Sequence, residues 1–172
     1  IVRRIDDLGR IVIPKEIRTT LRLREGDAME IYTARDGAVV LKKYSPLHDM
    51  SKLAQAYVKI LFSVLKQPVV LCDKDHILAV EGLSKGIYEG AVISTYLEGV
   101  MHKRQVVEQI EPTLLELKMN HAENAHSYVI VPINVRGDIL GAFILLLQTA
   151  EALQPKKTIL QSFVELLTVQ LE

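Results

Sequence analysis

The chain has 172 residues, of which 49% are hydrophobic and 24% are charged, with equal numbers of basic and acidic side chains. This composition supplies enough apolar material for packed cores and excludes an intrinsically disordered chain. The longest apolar run, Ile139–Leu147, has nine residues with a glycine inside, whereas a membrane span needs roughly 20. The N-terminal residues lack the apolar core of a signal peptide. We therefore expect a cytoplasmic protein with no membrane association, and the single cysteine, Cys72, fits a reducing compartment.

The net charge of zero conceals a difference between the two ends of the chain. Residues 1–43 carry ten Lys or Arg and seven Asp or Glu, and the remaining residues carry eleven and fourteen. Within residues 1–24 the count is seven basic against three acidic. A basic end on a mildly acidic body predicts a polyanionic partner at that end, although charge alone is equally compatible with a solvated basic surface.

Two short β-branched runs open the chain and predict a pair of strands. They span Ile1–Ile5 and Arg10–Ile13, and the sequence Asp6-Asp7-Leu8-Gly9 between them has the composition of a turn. Pro14 then begins a predicted short helix, because a missing N–H costs nothing in the first helical turn.

The next residues complete a β-β-α-β-β order. Ile17 and Leu21 lie four residues apart on the predicted helix and are expected to face a core. Met29–Thr33 and Ala38–Lys43 predict two further strands, joined around the hairpin signal Asp36-Gly37. A segment of about 40 residues usually needs disulfides, metal or oligomerisation. This one contains no cysteine or histidine, so we expect it to close a barrel with a second copy of the chain.

The stretch Tyr44-Ser45-Pro46-Leu47 predicts a boundary, after which a long helix is expected from about Asp49 to Leu65. Its apolar stripe consists of Met50, Leu53, Ala54, Tyr57, Leu61 and Val64. Three further apolar residues, Val58, Ile60 and Leu65, widen the stripe. The helix is therefore expected to bury two faces, one of them against a partner helix.

The rest of the chain alternates predicted strands and helices. Strands are expected at Val69–Cys72, Ile77–Val80, Val106–Ile110, Tyr128–Val135 and Ile139–Leu147, and Leu114–Met119 is ambiguous. Helices are expected at Ile87–Met101 and at Lys157–Leu171, the second with an apolar side made of Ile159, Leu160, Phe163, Leu166 and Leu167. This order predicts an α+β domain in which helices flank an antiparallel sheet.

Six basic side chains near the N-terminus are the candidate nucleic-acid contacts. They are Arg3, Arg4, Arg10, Lys15, Arg18 and Arg22. The last three are spaced i, i+3 and i+7 on the predicted helix and share one face. A guanidinium fork suits phosphate oxygens and guanine edges. The alternative is that Asp6, Asp7 and Glu16 hold the arginines in surface ion pairs, which contribute only ~0–1 kcal/mol each.

Residues 1–46 closely resemble the AbrB-type transition-state regulators, most specifically in the string LGRIVIPKEIR. Residues 47–172 resemble the GAF-like domain that follows an AbrB-type head in sporulation regulators, through VVLCDKD and SYVIVPINVRGDILGAFIL and through KKYSP, which continues the head into this region. The resemblance implies two domains, 1–46 and 47–172. The first would be an all-β swapped-hairpin barrel with one short helix, shared by two chains, and the second an α+β GAF-like sensor or oligomerisation domain.

The resemblance also implies which residues contact DNA. Family contacts are arginines at the positions of Arg3, Arg10 and Arg18, and some members are basic at the positions of Arg4 and Lys15. Many members carry a second arginine where this chain has Thr19. Arg22, on the same face of the predicted helix, is the candidate to compensate for that departure.

The function implied is a sequence-tolerant, DNA-binding regulator of sporulation-type genes that favours A/T-rich double-stranded DNA. The first 43 residues contain no Asn or Gln, which fits shape readout better than direct reading of adenine. We expect a homodimer through the barrel and a homotetramer through the helices of the second domain. A small ligand of unknown identity, held between residues 83–101 and 110–127, or oligomerisation would modulate activity.

Three alternatives remain at this point: an antitoxin that binds DNA at its own promoter, a second domain that only tetramerises, and an enzyme. Antitoxins usually carry a short disordered tail, whereas about 120 residues here have the pattern of a folded domain. An enzyme is not expected, because Cys72 has no resolving cysteine and is more typical of a core. His121 and His126 lack metal-ligand spacing and are expected in a loop, so neither a metal nor a cofactor is predicted.

Overall fold

The computed structural model describes all 172 residues and divides them into two compact units. The head comprises Ile1–Tyr44, and the C-terminal unit comprises Ser45–Glu172. None of the helices has the length and apolar character needed to cross a membrane.

The head contains one short helix, α1 (Lys15–Thr20), and one antiparallel hairpin of β1 (Met29–Thr33) and β2 (Val39–Lys43). The hairpin turns where the sequence predicts, since Gly37 adopts a φ of +84° that glycine tolerates without strain. The carboxylate of Asp36 accepts a 3.1 Å hydrogen bond from the amide of Ala38. This part of the prediction is confirmed, with the second strand one residue shorter at its start.

The two strands predicted at Ile1–Ile5 and Arg10–Ile13 are wrong for the single chain, because neither segment lies in a strand. The turn between them does form: the amide of Asp6 donates to the carbonyl of Arg10 at 3.0 Å, and Gly9 has a φ of +75°. The physical reason is that β propensity expresses packing against neighbouring strands rather than an intrinsic backbone preference.

The prediction that Ile17 and Leu21 face a core is also wrong in the single chain, where their side chains are 37% and 54% exposed. Pro14 is the one buried residue of the head. The exposed large apolar residues of the head are Ile1, Val2, Ile5, Leu8, Ile11, Val12, Ile17, Leu21, Ile31, Tyr32, Val39, Leu41 and Tyr44. A segment this short has too little of its own structure to cover them.

The C-terminal unit is built on a five-stranded antiparallel sheet with the order β4-β3-β9-β8-β5. The strands are β3 (Val69–Asp73), β4 (Ile77–Glu81), β5 (Val107–Gln109), β8 (Ser127–Val135) and β9 (Asp138–Leu147). A separate hairpin joins β6 (Thr113–Lys118) and β7 (His121–Ala125). The helices are α2 (Pro46–Asp49), α3 (Ser51–Leu65), α4 (Lys85–Tyr88), α5 (Thr95–Lys103) and α6 (Leu153–Leu171).

Both faces of the sheet are covered, so its central strands are apolar on both sides. On one face, Phe143 and Leu145 of β9 belong to the cluster that also holds Leu61 of α3 and Leu160 of α6. On the other face, Ile144 lies in a second cluster with residues of α4, α5 and β6. The predicted α+β plan with an antiparallel sheet and flanking helices is confirmed, and the ambiguous segment Leu114–Met119 is a strand.

The single helix predicted at Ile87–Met101 is wrong, because the structure divides it into α4 and α5. Gly90 has a φ of +81°, which ends the helical path, and Val92 then forms an isolated bridge with His76. Ser94 restarts a helix by accepting a 3.1 Å hydrogen bond from the amide of Leu97. His121 lies in β7 rather than in the predicted loop.

The apolar stripes of α3 and α6 are only partly buried. In α3 the buried residues are Ala54, Val58, Leu61 and Leu65, whereas Ile60 and Val64 are 47% and 54% exposed. In α6 they are Leu153, Leu160, Val164 and Leu167, whereas Ile159 and Leu166 are 36% and 54% exposed. Each helix packs one face on the sheet and leaves apolar residues on another.

Candidate nucleic-acid interface

Four basic side chains surround a shallow concavity of about 410 Å³ on the head. Its lining consists of Lys15, Arg18, Thr19, Arg22, Leu23 and Arg24. The structure therefore brings together the three cations that share the predicted helix face. It adds Arg24, which helical spacing does not predict, and it places Thr19 on the same surface.

The C-terminal end of α1 shapes this concavity. The amide of Leu23 donates to the carbonyl of Arg18 at 2.8 Å, and the amide of Arg22 donates to the carbonyl of Thr19 at 3.2 Å. These two bonds form a Schellman motif, whose left-handed position glycine usually occupies. Here Arg22 holds that position with a φ of +54°, a conformation that costs an L-residue roughly 1–2 kcal/mol.

A polar brace ties the loop after α1 to the hairpin. The ammonium of Lys43 donates to the carbonyl of Arg22 at 2.9 Å and lies 3.1 Å from the carboxylate of Asp27. The same carboxylate accepts a 2.8 Å hydrogen bond from the amide of Arg24. The backbone that carries Arg22 and Arg24 is therefore fixed by contacts to β2 and to its own loop.

Arg10 lies at the turn that precedes α1, paired with Asp6. Its Nε donates to Oδ2 of Asp6 at 2.8 Å, and its amide donates to Oδ1 at the same distance. The hydrogen bond from the Arg10 amide, followed by that from its side chain, lowers the pKa of the Asp6 carboxyl below its usual value. The surface ion pair expected as an alternative thus exists for Arg10. Such exposed pairs are weak, so a stronger anion can displace the carboxylate.

Arg3 and Arg4 lie in the irregular N-terminal stretch and are exposed. Arg3 donates from Nη1 to the carbonyl of its neighbour Val2 at 3.4 Å. Neither residue lines the concavity, and Arg10 does not line it either. The six predicted contacts therefore divide into a group on α1 and the loop after it, and a group on the preceding turn and N-terminal stretch.

The sequence does not predict that Arg24 joins the basic cluster, because helical spacing carries no information beyond the end of a helix. Arg24 lies two positions after Arg22, an interval that places side chains on different sides of a helix. Only the chain reversal at the left-handed Arg22 brings Arg24 to the same concavity as Arg18.

Several residues of the region expected to line a ligand pocket in the C-terminal unit belong to its second apolar cluster. Tyr88, Ile93, Leu97, Leu115 and Leu117 are all buried there. Burial, followed by its 2.5 Å hydrogen bond to Glu123, raises the pKa of the Tyr88 hydroxyl.

The single cysteine lies in the core of the C-terminal unit. Burial raises the pKa of the Cys72 thiol to about 12, so the thiol stays protonated and is a poor nucleophile. The structure contains no cluster of three or more His, Cys, Asp or Glu side chains that suits a metal ion.

Two family models together match nearly the whole chain. Residues 49–172 match the model described as stage V sporulation protein T C-terminal, transcription factor. Residues 2–47 match the model described as antidote-toxin recognition MazE, bacterial antitoxin.

Among individual proteins, the chain is 46% identical over 145 residues to stage V sporulation protein T of Bacillus subtilis (strain 168), a match that covers 84% of this chain and 82% of that protein. It is also 56% identical over 46 residues to the transition state regulatory protein AbrB of the same organism, covering 27% of this chain and 47% of AbrB.

Solved structures with a similar fold include the type II free methionine-R-sulfoxide reductase from Thermoplasma acidophilum. The TM-score is 0.55 at 16% identity, covering 71% of this chain and 92% of that one, a likeness of fold alone. A GAF domain/HD domain protein from Geobacter sulfurreducens matches with a TM-score of 0.49 at 15% identity, covering 69% of this chain and 89% of that one.

Proposed function

The chain belongs to the stage V sporulation protein T family of transcription factors, and we propose that it regulates sporulation-type genes by binding double-stranded DNA through its head. One observation carries the proposal. Lys15, Arg18, Arg22 and Arg24 surround a single concavity with no acidic residue in its lining. Clustered guanidinium and ammonium groups are the side chains that bind a phosphate backbone.

The head is proposed to function as one half of a barrel that two chains build by exchanging hairpins. The support is that its apolar residues, among them Ile11, Val12 and Leu21, are exposed in the single chain. A second copy would cover them and offer pairing partners to the segments Ile1–Ile5 and Arg10–Ile13. Closing a barrel also removes strand edges that would otherwise pair with other chains.

Within such a dimer, Arg3, Arg10 and Arg18 are the proposed principal DNA contacts, with Arg4, Lys15 and Arg22 as further contacts. The proposed DNA is A/T-rich and recognised mainly by shape. A surface rich in arginine and without amide side chains suits a narrow minor groove and deformable steps better than direct adenine reading. DNA binding of this kind takes place in the cytoplasm, where bacterial DNA lies.

The C-terminal unit is proposed to join two dimers into a tetramer. The support is the set of exposed apolar residues on α3 and α6, including Ile60, Val64 and Leu166. A small ligand, or the assembly itself, would then modulate DNA binding. Tyr88 and Leu97 are buried in the second apolar cluster, which supports modulation by assembly.

The proposal is tested by titrating the full chain with a labelled A/T-rich duplex at several salt concentrations. Three arginines per chain neutralise about six phosphates in a dimer, so the slope of log K against log salt should lie near −5. Binding should weaken roughly a thousandfold between about 50 and 200 mM salt.

Replacing Arg10 by alanine should flatten this slope and weaken binding while the dimer stays folded. The backbone amides of Leu8 and Arg10 still bond Asp6 and keep the turn. Arg35→Ala, which removes one exposed charge at the β1–β2 turn, is the matched control and should bind normally. Full affinity and an unchanged slope for Arg10→Ala would remove that residue from the site.

An antitoxin is the second candidate, because the family model that matches residues 2–47 is that of an antitoxin. The match to a transcription factor over residues 49–172 favours the first proposal. Stoichiometric capture of a toxin by the tagged full chain would support the antitoxin.

A further inference from the structure

The loop after α1 adds two arginines to the lining of the concavity, at positions that the helix itself does not reach. Arg22 stands at the left-handed position of the Schellman motif, and Arg24 follows two residues later. Together with Lys15 and Arg18 they put four cations around one concavity, whose other lining residues are Thr19 and Leu23.

The conformation of Arg22 does not by itself mark a site. Lys66 and Arg104 adopt the same left-handed conformation at the ends of α3 and α5. What distinguishes Arg22 is that its conformation turns the chain so that Arg24 joins Arg18 at a common surface. Residues held in unfavourable backbone regions persist where the surrounding structure determines them, and they concentrate at functional sites.

The surroundings fix this backbone firmly. Lys43 bonds the carbonyl of Arg22 and pairs with Asp27, whose side chain is only 6% exposed. The Asp27 carboxylate is engaged by Lys43 and by the amide of Arg24. The concavity is therefore preorganised, which lowers the entropy that binding would otherwise cost.

The lining also indicates the chemistry of the ligand. Apart from the hydroxyl of Thr19, its polar side chains are cationic donors, and it holds no carboxylate or amide that would accept a hydrogen bond from a base amino group. DNA carries one negative charge per ~1.7 Å of its axis. Four neighbouring cations therefore match the phosphate backbone of DNA better than they match the edge of a single base.

We propose that Arg22 and Arg24, together with Arg18, hold a phosphate group of the DNA backbone in the concavity at the end of α1. The inference rests on the proposed DNA binding and assigns to it a phosphate contact in which Arg24 takes part. The strained backbone conformation of Arg22 forms the concavity, because it turns the chain so that Arg24 lies beside Arg18.

The test uses the full chain, an A/T-rich and a G/C-rich labelled duplex, and a series of salt concentrations. The variants are Arg22→Gly and Arg24→Ala. Glycine suits the left-handed position, so Arg22→Gly removes the side chain without disturbing the end of α1. Arg104→Gly is the matched control, because it makes the same exchange at the left-handed residue after α5.

Each variant should weaken binding at least fivefold, by the same factor on both duplexes. Each should also flatten the salt slope, by at most about 2, since the two phosphate contacts of a dimer are worth about 0.9 each. Arg104→Gly should bind like the unaltered chain. Arg22→Gly should melt at or above the temperature of the unaltered chain, which shows that lost affinity does not reflect unfolding.

Two results would overturn the inference while leaving the proposed function in place. One is full affinity with an unchanged slope for Arg22→Gly and Arg24→Ala, while Arg10→Ala and Arg18→Ala lose affinity. The other is a loss confined to one duplex, which would indicate a base contact. If all four variants kept full affinity, the proposed DNA-binding function and the phosphate site would both be wrong.

Discussion

At the scale of single residues, Thr19 is the position where this chain departs from the arginine expected by resemblance. Its side chain lines the same concavity as Arg18 and Arg22. A threonine supplies a hydroxyl but no charge, so the positive charge of the concavity comes from the residues that neighbour Thr19 and not from position 19 itself.

Replacing Thr19 by arginine should therefore tighten DNA binding by at least roughly tenfold at low salt, since a hydrogen bond to a charged group contributes about 1.5–3 kcal/mol. The salt slope should steepen by about 2 for a dimer. Anisotropy titrations over a range of salt concentrations measure both quantities.

Thr20→Arg is the control for this gain. Thr20 lies on the same helix, and its hydroxyl donates to the carbonyl of Glu16 at 2.9 Å, but it does not line the concavity. An equal gain from Thr20→Arg would show that added charge, rather than its place in the concavity, sets the affinity.

At the scale of elements, Gly141 determines how closely β9 approaches β3. A Cβ added there would lie 2.0 Å from the carbonyl oxygen of Cys72 and 2.7 Å from Cδ1 of Leu47. The first of these contacts is with backbone in the middle of the sheet, which cannot move without shifting the Cys72–Ala142 pairing.

Gly141→Ala should consequently destabilise the C-terminal unit by about 3 kcal/mol, the upper range for overpacking a core. Urea unfolding followed by circular dichroism measures the loss. Gly99→Ala is the matched control: Gly99 is exposed in α5 with open space around its Cα, and alanine there should stabilise by up to about 1 kcal/mol. A loss below 1 kcal/mol for Gly141→Ala would mean that the strands can separate locally.

At the scale of the whole molecule, α3 and α6 pack side by side and present apolar residues to solvent. The rings of Tyr57 and Phe163 meet edge to face with centroids 5.7 Å apart, and the hydroxyl of Tyr57 donates to the side chain of Gln170. Val64 on α3 and Leu166 on α6 are each 54% exposed. Exposed apolar side chains on two helices that contact each other are a feature of protein–protein interfaces.

Val64→Lys should reduce the proposed tetramer to a dimer, because burying an unpaired ammonium in an apolar interface costs several kcal/mol. Sedimentation equilibrium of the full chain measures the mass. DNA affinity per head should change little, since the head does not contain the altered residue. Gln55→Lys adds the same charge to an exposed, polar position of α3 and should leave the mass unchanged. A tetramer that survives Val64→Lys would exclude this face as the interface.

The sequence by itself determined the elements whose causes are local. The hairpin between Met29–Thr33 and Val39–Lys43 follows from Asp36-Gly37, and the pairing of β8 with β9 follows from the turn Arg136-Gly137-Asp138. Turn chemistry and alternation of side chains act over a few residues, so a single sequence displays them.

The basic face of α1 could also be predicted, because helical spacing brings Lys15, Arg18 and Arg22 together without any distant contact. Arg24 could not, since its place depends on the left-handed Arg22 and on the distant brace from Lys43.

Only the tertiary structure decided the features that depend on distant partners. It divided the helix predicted at Ile87–Met101, because Val92 and Ile93 bridge to His76 and Lys118. It selected which apolar face of α3 packs on the sheet and left Ile60 and Val64 exposed. In each case several local arrangements have similar free energies, and contacts between residues far apart in the chain select among them.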